Sequence, residues 1–232
     1  MSSQVLNMLD ELLRSPQKVA ARVERREDLR PLVLAALAAL LLGAGSFGAV
    51  LATARGGVQL GYSALKLPLS IVTTLCLCVP AFTAIARALG RELDIGGMVG
   101  LSLSAAARAA LVLLGFAPAV WFAIDRGLGY HGSVLLSAGC YALAGLAALR
   151  VMASGIGRDA RGVCILACCA AVLLPTGAQS AWMLRPFIGR PAQAEVPFLR
   201  HKESSFADAV YTSSRSSLGI YRRATSDVEL SE

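Results

Sequence analysis

Residues 31–52, PLVLAALAALLLGAGSFGAVLA, run for 22 positions without a charged side chain. A helix rises about 1.5 Å per residue, so this stretch reaches roughly 33 Å, enough to cross the ~30 Å hydrocarbon core of a bilayer. Lipid offers backbone amides and carbonyls no partner, and only a helix satisfies them within the segment itself. The stretch is too long for the apolar core of a secretory signal and follows 30 residues of mixed charge. Pro31 falls in the first turn, where its missing N–H costs nothing.

Four further blocks read the same way. Residues 67–86 lie between Lys66 and Arg87, 132–149 between His131 and Arg150, and 162–184 between Arg161 and Arg185. The third block has two readings. It runs either from 109 to 124, bounded by Arg108 and Asp125, or from Ile95 with Arg108 as its only charge. The fold class is therefore all-α, a polytopic membrane bundle of five transmembrane helices. Residues 1–30 form a charged cytoplasmic segment, 31–190 the membrane domain and 191–232 a polar, partly flexible tail. With 56% hydrophobic and 16% charged residues, against about 25% charged in soluble domains, a soluble enzyme and a disordered chain are excluded.

The net charge of +7 is concentrated in 31–185, at the edges of the apolar blocks. No basic cluster is interleaved with aromatics, so nucleic acid is not an expected partner and anionic membrane lipids are. Lys and Arg favour the cytoplasmic side. With the N-terminus inside, that side carries Arg14, Lys18, Arg22, Arg25, Arg26, Arg30, Arg87, Arg91, Arg150, Arg158 and Arg161, against Arg55, Lys66 and Arg126 outside. Five spans then put the tail outside. Arg185, Arg190, Arg200 and Lys202 weaken that asymmetry.

Val5, Leu6, Leu9, Leu12 and Leu13 share one helical face. They predict a helix ended by Ser15-Pro16, lying on the inner leaflet, on the protein itself or against a cytoplasmic partner. Residues 17–30 read as a solvated helix leading into the membrane. In the tail, Ser205-Phe206-Ala207-Asp208 predicts a short helix to about Tyr211.

Few residues suggest chemistry. Arg108 is either a span-edge residue whose guanidinium snorkels to headgroups or a buried ligand site, and no other span contains a carboxylate to pair with it. Cys76, Cys78, Cys140, Cys164, Cys168 and Cys169 all fall within spans, which favours packing over disulfides or metal. Gly127-x-Gly129-x-x-Gly132 matches a dinucleotide fingerprint by letter but lacks its strand and crossover, so it reads as a turn. Gly45-Ser46-Phe47-Gly48 has no base near enough to activate the serine. Gly96-x-x-x-Gly100, and Ala144 with Ala148, permit close helix approach. Pro80, Pro118 and Pro175 are expected to kink their helices. No catalytic residue, metal or cofactor is expected.

One constellation remains. Arg55, Gln59 and Lys66 lie between spans one and two, and Trp182 and Arg185 close span five. All fall on the same outer face. They are either interfacial anchors or a group converging on an anionic headgroup or a partner's acidic segment.

The run R-G-G-x-Q at 55–59, L-K-L-P-L at 65–69, five spans and the closing W-x-L-R-P-F-I-G at 182–189 resemble a family of bacterial inner-membrane proteins. That family is similar in span count and orientation to Yip1-domain proteins. The resemblance covers roughly residues 31–200, and the closing motif is its most specific part. It implies an integral membrane protein without enzymatic activity, so no catalytic residues carry over. The actin-binding WH2 label attached to some relatives needs an L-K-K-T-like segment after an amphipathic helix, and Ser15-Pro16-Gln17-Lys18-Val19 does not supply one. The expected function is that of a structural or accessory subunit, joined to other inner-membrane subunits or to a second copy of itself. The alternative is a lipid-binding or transport-related protein using the outer basic group.

Overall fold

The computed structural model of the chain describes residues 3–27 and 29–184, together with Phe187 and Phe198. Seven α-helices follow one another: α1 Ser3–Arg14, α2 Pro16–Glu24, α3 Leu29–Ala52, α4 Gln59–Ala88, α5 Ile95–Asp125, α6 Tyr130–Ile156 and α7 Ala160–Leu184. There is no strand among the described residues. Among the described residues, five helices, α3 to α7, are long and apolar enough to cross a membrane. The chain is an all-helical, multi-pass integral membrane protein. Arg185 and most of the tail, with the helix expected at 205–211, lie outside the described residues.

The helices pack in the order α6, α5, α3, α4, α7, with α5 also touching α4. Glycine closes the α3 side. A Cβ on Gly43 would come within 2.6 Å of the Ala110 carbonyl oxygen on α5. One on Gly48 would come within 2.4 Å of the Ser63 carbonyl oxygen on α4. Helix backbones approach this closely only where no side chain intervenes. Those two glycines therefore set the spacing of three helices. Ser46, between them in sequence, is exposed on the opposite face.

The N-terminal helices pack on the protein itself. The Leu12 side chain of α1 is fully buried, and α1 rests on α3 and α5. Helix α2, expected to be solvated, buries Val19, Ala20 and Val23 and rests on α6 and α5. Val23 fits against Gly97 and Gly100. Arg22 binds Glu11 of α1 with 2.9 and 3.1 Å hydrogen bonds, and Arg26, just past the end of α2, pairs with Asp94 at 2.9 Å. Asp94 also caps α5 by accepting from the Gly97 N–H, satisfying one of the donors a helix start leaves open.

Two helices, α4 and α6, run about two turns past the bounds expected from sequence, α6 ending at Ile156 rather than at residue 149. Helix α4 begins at Gln59, two turns before the residue 67 expected, so Lys66 is inside the helix rather than in a loop. Helix α5 takes the longer of its two readings and carries Arg108 in its interior. Pro80, Pro118 and Pro175 sit inside uninterrupted helices. Gly127 turns the chain between α5 and α6 with φ of 88°.

Candidate functional site

Gln59, Ser63, Lys66, Ser70 and Thr74 are spaced by 4, 3, 4 and 4 residues. That spacing places them on one face of α4. All five are buried, and Lys66 has no exposed surface. Burial of polar groups is tolerated when each finds partners. The Ser63 hydroxyl donates to the Phe187 carbonyl at 2.6 Å, and the Gln59 side-chain amide donates to Ser63 Oγ at 3.2 Å and to the same carbonyl at 3.4 Å. The Ser70 and Thr74 hydroxyls turn back onto the Leu67 and Ser70 carbonyls. The Lys66 ammonium lies 5.0 Å from the centre of the Phe198 ring and 5.9 Å from that of Tyr62. The two rings meet edge to face at 5.2 Å. An ammonium is attracted to the electron-rich face of an aromatic ring, more strongly where water is excluded. Phe187 and Phe198, both beyond α7 in sequence, thus lie against the first turns of α4.

Of the residues expected to form the outer group, Gln59 and Lys66 come together with Ser63, Tyr62, Phe187 and Phe198. Lys66 is enclosed rather than presented to headgroups. Arg55 is half-buried in the α3–α4 turn, which Gly56 and Gly57 make with φ of 79° and 64°. Trp182 is half-buried in the last turn of α7. Arg185 lies outside the described residues. The sequence carried the signal for the α4 face in its polar 4-3-4-4 spacing. Reading Lys66 as the edge of a span hid it.

Below this face lies a cleft. Helices α4, α5, α6 and α7 enclose a cavity of about 530 Å³, inside the roughly 300–1,000 Å³ range of small-molecule sites. Its wall is almost wholly apolar and rich in small residues, among them Ala106, Ala142, Gly145, Ala170 and Gly177. Leu146, Leu149 and Leu174 line it and are exposed, so the cleft opens sideways between α6 and α7. Ser70 and Thr74 reach its α4 wall. Their hydroxyl protons are engaged by backbone carbonyls, whereas the hydroxyl of Ser102, which also lines the cleft, is buried and meets no hydrogen-bond partner. The arrangement can hold an apolar chain.

In comparison with known proteins, no family model, no curated relative and no solved structure matches the chain.

Proposed function

We propose that this integral membrane protein binds one lipid chain, or an apolar molecule of similar size, in the cleft between α4, α5, α6 and α7. It acts by binding rather than by covalent chemistry. The observation that carries the reading is the sideways opening of a cavity of about 530 Å³. A methylene fills space comparable to the roughly 30 Å³ of a liquid water molecule, so one acyl chain matches the volume. The excess of Lys and Arg at the end where α3 begins supports a cytoplasmic N-terminus and a periplasmic tail. The resemblance of the 55–69 and 182–189 motifs supports a bacterial inner membrane.

Native mass spectrometry of the protein extracted in mild detergent tests this. One apolar molecule per chain is expected, and Gly145→Leu should lose it. A Cβ at Gly145 has no neighbour within 4 Å, so the larger side chain enters the cleft without unfolding the protein. A chain that carries no small molecule but a stoichiometric protein partner would replace this reading with that of an accessory subunit.

A further inference from the structure

Arg108 stands apart from the cleft and from the α4 face. It is the 14th of 31 residues in α5, about 20 Å along the helix from its first turn. A guanidinium carries five N–H donors and no acceptor. The residue as a whole is half-buried, but its Nη1 is buried and meets no hydrogen-bond partner. One turn earlier on the same face, Ser104 is completely buried and its hydroxyl also has none. Arg150 of α6 is exposed and near enough to act on Arg108 with a charge of the same sign. The bundle therefore holds a permanent charge, a second one that repels it, and a hydroxyl one turn away, with no acceptor supplied by the described residues. Cations within membrane spans are retained where something anionic or another acceptor meets them.

We infer that Arg108 binds an oxyanion of the phosphate type in the seam between α5 and α6, with Arg150 as the second cation and Ser104 as a neutral donor. The planar guanidinium fork fits two phosphate oxygens at once. Basic pockets between membrane helices take lipid headgroups in this way. A phospholipid headgroup and free phosphate offer the same group. This site does not depend on the cleft, because Arg108 is not among the residues that line it.

The test uses the full chain in maltoside micelles, which contain no phosphate. Melting temperature is followed on adding phosphatidylglycerol, inorganic phosphate, or diacylglycerol as a tail-only control. The wild type should be stabilised by phosphatidylglycerol beyond the diacylglycerol effect if the source is lipid, or by inorganic phosphate if it is free anion. Arg108→Gln should be at least as stable as the wild type without additive. It should need about 10- to 100-fold more phosphate compound, the range for losing a charge-assisted hydrogen bond. Arg108→Lys keeps the charge without the fork and should fall between the two. Gly145→Leu should retain the whole phosphate effect, which separates this site from the cleft. A wild type indifferent to both phosphate compounds overturns the inference, and so does a phosphate effect that survives in Arg108→Gln. An Arg108→Gln chain that cannot fold in phosphate-free micelles also overturns it, by making the arginine a structural anchor.

Discussion

Two sides of the bundle, α3 against α4 and α5, and α6 against α7, are built from the same small residues and end in opposite states. On the α3 flank, Gly43 and Gly48 meet neighbouring backbones so closely that even a Cβ would collide. On the α6–α7 flank, Gly145 has open space around it and Gly177 only an ordinary neighbour, Thr74 at 3.6 Å from a built Cβ. In lipid, helices gain no hydrophobic drive from pairing with each other, so packing and hydrogen bonds decide which seams close. A glycine closes a seam only when a facing backbone is free to enter the space it leaves. Facing Gly145 there is none, and a cavity results. Small residues thus make contact in one seam and volume in the other.

The sharpest way to break this comparison is to exchange side chains at the closed seam. Gly48→Leu puts atoms where the Ser63 carbonyl now sits. Backbone cannot yield as a flexible side chain can, and overpacking of this kind costs about 1–3 kcal/mol or more. The expected outcome is loss of the monodisperse protein on size exclusion. The same leucine at Gly145 should leave the elution profile unchanged. If Gly48→Leu elutes normally, the closed seam does not set the fold. Gly177→Ala probes the open side more gently. Its methyl would make van der Waals contact with Thr74, and removing a helical glycine typically stabilises by about 0.5–1 kcal/mol. A raised melting temperature is expected. A fall would mean that the cleft needs the narrower wall.

The fold was legible in sequence where apolar residues are contiguous, because the length of an uncharged block maps directly onto bilayer thickness. It was least legible where polar residues are buried by protein rather than exposed to water. Lys66 looks like a span boundary only while Phe198, whose ring lies beside its ammonium, is out of sight. Residues Val19, Ala20 and Val23 are hidden in a charged run, and Val23 is accommodated where Gly97 and Gly100 leave room on α5. The site is harder still. Ala106, Ala142, Gly145 and Gly177 read as good packing residues in any window of sequence. That they line a cavity follows from which helices face one another, and helix pairing leaves no local pattern.

The smallest expected effect concerns what holds the open flank in place. Arg91, in the α4–α5 loop, pairs with Asp159, in the α6–α7 loop. The bond ties together the ends of the four helices that enclose the cleft. Gly157 is part of the same latch: it holds φ at 113°, and a Cβ there would come within 2.7 Å of the Arg91 guanidinium. Both charged side chains are more than a third exposed, so solvent screens them, and pairs of this kind contribute about 0.2–1 kcal/mol. Asp159→Asn should lower the melting temperature by a few degrees at most, less so in high salt, and leave the bound apolar molecule in place. That result would assign the cleft's width to its walls. If the ligand is lost while the protein stays folded, the width is instead set from the loops, and the open seam is a consequence of how the helices are tied at one end rather than of the residues that line it.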